Sequence, residues 1–183
     1  DILIENVGTD SIKLKIETSL NANHIKTDII DSDGTVVASA LGNEPVICVS
    51  GAKLWSINEP NLHTARISLL NDDNSVADEK DMRFGFRTAE FKNDGFYLNG
   101  EKIKLRGLNR HQSYPYVGYA MPKSMQYLDA EILKNELQVN AVRTSHYPQS
   151  QHFIDRCDEL GLLVFTEIPG WQHIGNDEWK KQA

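Results

Sequence analysis

No stretch of this chain approaches the roughly 20 consecutive apolar residues needed to cross a bilayer as a helix, and no basic, apolar, small-residue leader opens it. It begins abruptly with Asp-Ile-Leu-Ile, as a piece cut from a longer chain would. Basic residues are in the minority, 19 Lys and Arg against 26 Asp and Glu, for a formal net charge of −7. The longest basic cluster is Lys180-Lys181. Nucleic-acid recognition needs a basic footprint, so neither nucleic acid nor membrane is an expected partner. An acidic surface does not exclude a neutral sugar. Cysteine is scarce: Cys48 and Cys157 are far apart and form no CxxC pair. They read as reduced structural thiols, which fits a reducing compartment without identifying one. Internal repeats and low-complexity segments are absent.

What is present is ordinary globular material, 40% hydrophobic and 25% charged residues, in two different patterns. Up to about residue 88 short strand-like runs dominate. Ile12, Leu14 and Ile16 alternate with Lys13, Lys15 and Glu17 in a run over 12–20, the period-2 mark of a half-buried strand. Further runs cover 25–30, 35–38, 46–49, 64–70 and 82–87, with turn signals at Asp31-Ser32-Asp33-Gly34 and Asn71-Asp72-Asp73-Asn74. About seven short strands at this spacing predict an immunoglobulin-like antiparallel β-sandwich over residues 1–88. The Cys-Trp-Cys pattern of antibody domains is missing.

Over residues 89–183 the pattern changes. Asn99-Gly100 between Phe96-Tyr97-Leu98 and Lys102-Ile103-Lys104-Leu105 predicts a two-residue hairpin. A strand then runs into Arg106-Gly107-Leu108. Residues 124–137 read as a helix capped by Ser124, with Met125, Leu128, Ile132 and Leu133 as its apolar stripe. Ala141-Val142-Arg143 reads as a buried strand. Residues 150–160 read as a second helix, with Phe153, Ile154, Cys157 and Leu160 inward and Gly161 as its C-terminal glycine. Leu162-Leu163-Val164-Phe165 is a third strand. Strand, helix, strand, helix, strand is the order of a parallel α/β unit.

Functional residues of parallel α/β folds gather just beyond the C-terminal ends of the strands. That rule selects Asn109-Arg110-His111-Gln112, then Thr144-Ser145-His146-Tyr147-Pro148, then Glu167 with Trp171-Gln172-His173. Convergent polar, imidazole and aromatic groups suit a polyhydroxy ligand: rigid donors and acceptors meet the hydroxyls, and a ring covers the apolar face of the pyranose.

Six ordered motifs resemble glycoside hydrolase family 2, the family of β-galactosidases, β-glucuronidases and β-mannosidases. They are Leu54-Trp55-Ser56 with Glu59-Pro60, and Phe84-Gly85-Phe86-Arg87. Next come Gly95-Phe96 with Leu98-Asn99-Gly100 and Leu105-Arg106-Gly107, then Asn109-Arg110-His111. The series ends with the run from Ala141 to Pro148 and with Cys157-Asp158-Glu159-Leu160-Gly161-Leu162. The resemblance implies a sandwich followed by an incomplete (β/α)8 barrel, its first three strands, within a retaining exo-β-glycosidase, a β-galactosidase before the others. It also implies that a jelly roll precedes residue 1 and that both catalytic glutamates lie beyond residue 183. This chain would therefore hold no catalytic carboxylate and be inactive alone. Its open sheet edges would favour self-association, with an apolar inner face where strands are missing. A homo-oligomeric parent is compatible with the family.

By the same resemblance, Arg143 bonds the nucleophilic carboxylate, and His146, His111 and Asn109 contact the sugar or order the loop around it. Glu167 and Trp171 are supporting candidates. Some β-galactosidases hold Mg²⁺ through a glutamate and a histidine in the third loop. Here Trp171 stands at the glutamate position with His173 at the other, and an indole cannot ligate a hard cation. No metal and no cofactor are expected. Asn43-Glu44, Asn58-Glu59 and Asn135-Glu136 imitate the family's acid/base pair but follow no fourth barrel strand. The rival reading is a non-catalytic carbohydrate-binding or interaction module, which a sandwich alone would permit. Such a module has no need of the segment from Arg143 to Pro148 at a parallel strand end.

Overall fold

The computed structural model describes residues 1–19, 24–170 and 172–182. Leu20, the last residue of the strand expected over 12–20, and the candidate Trp171 lie outside them; within them that strand ends at Ile16. The chain divides into two compact units, Asp1–Ile103 and Lys104–Ala183. Among the described residues no helix is long and apolar enough to cross a membrane.

The first unit is a β-sandwich. Its strands are β1 (Ile2–Asn6), β2 (Ser11–Ile16), β3 (His24–Ile30), β4 (Val36–Leu41), β5 (Val46–Cys48), β6 (His63–Leu70) and β7 (Val76–Phe84). One sheet has the order β1-β2-β5 and the other β4-β3-β6-β7, all pairs antiparallel. The alternation read in β2 is the burial seen: Ile12, Leu14 and Ile16 face a core shared with Ile29, Ile47, Ala65, Ile67, Phe84 and Phe86. β7 begins earlier than its apolar residues imply. Val76 to Asp81 is exposed throughout, so it has no hydrophobic period. Pairing to β6 and cross-strand charges hold it, with Arg66 donating twice to Asp81 at 2.9 Å. Charges on an edge strand also discourage pairing with another chain.

Three shorter strands complete this unit: β8 (Ala89–Lys92), β9 (Gly95–Leu98) and β10 (Glu101–Ile103), in the order β10-β9-β8. Asn99 and Gly100 turn the β9–β10 hairpin with φ of 53° and 81°, the paired left-handed conformation of a type I′ turn. The Asn99 side chain also holds the hairpin to the sandwich. Its amide donates to the Trp55 carbonyl at 3.0 Å and its oxygen accepts from the Thr88 N–H at 3.0 Å.

The second unit is parallel α/β. Strands β11 (Gly107–Arg110), β12 (Ala141–Thr144) and β13 (Leu163–Phe165) lie side by side in that order, both pairs parallel. Helix α1 (Lys123–Glu131) follows β11, α2 (Gln151–Leu160) follows β12, and a short α3 (Asp177–Gln182) follows β13. Ala130 and Leu133 of the first helical segment, Phe153 and Cys157 of α2, and Val142 of β12 form the core with Leu162. Burial pushes the Cys157 thiol up to about 12, so it stays a protonated apolar filler.

Two expectations for the first helix are corrected. Ser124 does not cap it: the helix starts at Lys123 with Pro122 at the N-cap and no side-chain cap bond. The proline is already fixed at φ −70° and its carbonyl accepts from Met125 and Gln126 at 3.0 and 3.2 Å. The buried stripe is also different. Leu128 is 40% exposed, while Gln126, Ala130 and Leu133 are buried, because a buried arginine described below requires a polar partner on that face. Beyond Glu131 the helix continues as one π turn, Ile132–Glu136, closed by the Leu137 N–H on the Ile132 carbonyl at 3.0 Å.

Candidate functional site

The strand register brings the candidates together. In β11 and β12, Asn109 lies opposite Arg143, and Arg143 lies opposite Phe165 of β13. All three side chains are exposed on the face turned away from Val142 and the helices. That face is therefore mixed, and the expectation of an apolar one holds only in part. Two features fix the start of β11. The buried Asn140 side chain accepts from the Arg106 N–H at 2.7 Å and donates to the Lys104 carbonyl at 3.0 Å. Gly107 runs so close to β12 that a Cβ would sit 2.5 Å from the Ala141 carbonyl oxygen, which admits only glycine.

At the carboxyl ends of the strands, Arg143 Nε donates to Glu167 Oε1 at 2.5 Å. Glu167 is held a second way. Its N–H donates to the buried Thr144 Oγ1 at 3.1 Å, and that hydroxyl donates to the Phe165 carbonyl at 3.2 Å. The guanidinium has five N–H donors in a fixed fork, and among the described residues only Nε has a hydrogen-bonding partner. Arg143 is thus steadied from one edge, with its terminal nitrogens on an exposed face.

The two loops beyond β11 and β12 are joined. The Gln112 N–H donates to the Tyr147 hydroxyl at 3.0 Å, and its side-chain oxygen accepts from the Ser150 N–H at 2.7 Å. These bonds hold His111 edge-on to His146, ring centroids 5.4 Å apart at 81°. His111 also lies 6.1 Å from the Tyr147 ring. The Ser145–His146 peptide bond is cis. Two imidazoles and a phenol thus stand together at the ends of neighbouring strands.

Asn109, Arg143 and Glu167 thus gather at the strand ends, and His111 and His146 meet in the loops just beyond. His173 turns elsewhere, its ring 6.1 Å from Trp179. No group of three His, Cys, Asp or Glu able to hold a metal exists among the described residues. A groove of about 490 Å³ on the sandwich, lined in part by Glu17, Asp78, Glu79 and Lys80, contains none of the candidates.

Arg110 was gathered in the first strand-end cluster but given no role of its own. It is only 6% exposed, lies 3.9 Å from the Phe153 ring, and donates to Asp129 at 2.9 and 2.8 Å, to Gln126 at 2.8 Å and to Gln149 at 2.5 Å. Its carbonyl accepts from Gln149 Nε2 at 2.7 Å. It points to the helix side, whereas its neighbour Asn109 faces the strand-end side. The only signal for it was the pleat, which puts successive residues of a strand on opposite faces.

A sandwich followed by a parallel strand–helix unit, with guanidinium, carboxylate and imidazoles at its strand ends, is the class of architecture with which a (β/α)8 barrel opens. Residues 89–181 match the TIM barrel domain of glycosyl hydrolases family 2, and residues 1–87 match glycosyl hydrolases family 2. The chain belongs to that family. It is 68% identical over 131 residues to a β-galactosidase of Thermoanaerobacterium thermosulfurigenes, covering 72% of this chain and 18% of that protein. It is 46% identical over 193 residues to a β-galactosidase of Thermoanaerobacter pseudethanolicus, covering 100% of this chain and 26% of that one. Among solved structures, a β-glucuronidase from Ruminococcus gnavus in complex with D-glucaro-d-lactam superposes with a TM-score of 0.84 at 29% identity, over 93% of this chain and 30% of that one. The chain thus spans about a fifth to a quarter of the length of these curated relatives.

Proposed function

We propose that residues 1–88 and 89–183 are the sandwich and the N-terminal portion of the barrel of a retaining exo-β-glycosidase, a β-galactosidase in preference to a β-glucuronidase. The 68% identity to a β-galactosidase supports the galactoside against the 29% identity to the β-glucuronidase structure. Retaining hydrolysis needs two carboxyl groups roughly 5–5.5 Å apart, one as nucleophile and one as acid then base. On this reading both are glutamates from later strands. Glu167 is not one of them on this reading, because it follows the third barrel strand and both catalytic carboxylates are assigned to later strands; its bond from Arg143 braces that side chain. Arg143 turns its terminal nitrogens to the nucleophile and holds it ionised and oriented. His111, His146 and Asn109 direct the sugar hydroxyls. On this reading no metal is held through the loop after the third strand. Without the carboxylates the 183-residue chain does not hydrolyse glycosides. Self-association through the unpaired edges of β11 and β13 belongs to the same reading, and light scattering over a concentration series tests it.

The observation that carries this is the Arg143–Glu167 pair at the strand ends beside the His111–His146 contact. In the full-length protein, Arg143→Ala is expected to lower kcat on an aryl β-galactoside on the order of 100-fold or more, as loss of an electrostatic stabiliser does. Arg143→Lys recovers only part of it, since an ammonium lacks the fork. An unchanged kcat in the alanine variant contradicts the assignment.

A further inference from the structure

The long loop between β11 and α1 carries three tyrosines that the site above does not use. Tyr116 is fully exposed, Tyr119 is 68% exposed, and Tyr114 is half-buried. A loop of 12 residues between Arg110 and Lys123 could be loose, but this one is fastened along its length. Tyr114 and Gly118 exchange backbone hydrogen bonds at 3.1 and 2.9 Å, and the Ala120 N–H donates to the Val117 carbonyl at 3.1 Å. Tyr116 sits at the tip with φ 70°, a conformation uncommon outside glycine. At one end Gln112 binds Tyr147 and Ser150; at the other the Met121 carbonyl accepts from Gln126 at 3.5 Å. Exposed aromatic rings on a fastened loop are a presented surface.

The rings also continue the site. Tyr119 meets Tyr147 edge-on at 6.3 Å, Tyr147 meets His111 at 6.1 Å, and His111 meets His146 at 5.4 Å. Along this path His146 and Tyr147 are half-buried and His111 and Tyr119 are exposed, and Tyr116 stands fully exposed at the tip of the same loop. An enzyme that removes a terminal sugar holds that sugar at depth and its leaving group toward solvent. A tyrosine presents a large rigid face with few rotors to freeze, and a pyranose or aryl ring offers a matching apolar face.

We propose that Tyr119 and Tyr116 form the leaving-group platform of this site, selecting β-glycosides whose aglycone is a second sugar ring or an aryl ring over those with a small leaving group. This rests on the glycosidase reading above. The test measures kcat/KM of the full-length protein for lactose, an aryl β-galactoside and β-galactosyl fluoride, which share one sugar and differ in what leaves. Tyr116→Ala and Tyr119→Ala are compared with the unaltered protein, with thermal midpoints recorded. Tyr116 is exposed, so its variant is expected to melt as the parent does. The expected result is a fall of up to about tenfold for lactose and the aryl galactoside, the scale of one aromatic contact, with the fluoride within about twofold. An equal fall for all three, or no fall in either variant, overturns the platform while leaving the glycosidase reading standing. An unaltered protein inert on all three overturns both.

Discussion

His63 is a titratable base in an apolar setting. It is buried in β6 between Phe84 and Phe86, with ring centroids at 6.0 and 4.9 Å, and its Nδ1 has no hydrogen-bond partner among the described residues. Burial holds its pKa below the ordinary value; the Asp31 carboxylate pulls it back up and the Lys53 ammonium pushes it further down. The unfolded chain therefore takes up a proton near pH 6.5 while the folded one resists. Stability from neutral His63 is intact above about pH 6.5 and is lost as pH falls through the folded value. The thermal midpoint is expected to drop between about pH 7 and pH 5, and to drop less in His63→Phe, whose ring fits the same aromatic neighbours. Equal drops in the two proteins would assign the effect to other groups. At this scale the sequence was partly legible. One rule about strand ends selects Asn109, His111, His146 and Glu167, whereas Arg143 came from the resemblance. The same rule gathers Arg110 but gives it no role, and Gln126 is not selected at all, because a polar pair inside a core looks like two surface residues until the register puts them face to face.

Elements show the same split. Strand β2 and helix α2 were readable because each buries one regular face, Ile12-Leu14-Ile16 in one and Phe153-Cys157 in the other. Val76 to Asp81 of β7 was not, since nothing in that stretch is buried and its pairing is non-local. The tyrosine loop escaped notice because aromatic residues between elements suggest no period. Arg110 is where the elements of the second unit are tied: β11 to α1 through Asp129 and Gln126, and to the loop before α2 through Gln149. Removing one member of a buried, fully bonded ion pair costs about 3–5 kcal/mol. Arg110→Ala is expected to destabilise the protein by about that much in denaturant titration. A loss below about 1 kcal/mol, the range of exposed pairs, would show the cluster to be an ordinary surface contact.

For the molecule as a whole, the sandwich and the parallel unit are both legible from pattern alone. Which chemistry they serve was not, because a fold hosts many functions. The functional reading came from ordered motifs, and the structure adds that Arg143 and Glu167 are bonded, that the two histidines meet, and that a fastened aromatic loop continues from them. On the proposed reading these groups support chemistry performed by carboxylates that this chain does not supply. The most direct measurement is hydrolysis of an aryl β-galactoside by the purified 183-residue chain at high protein concentration. The account predicts no turnover above the uncatalysed rate; turnover that Arg143→Ala abolishes would contradict it.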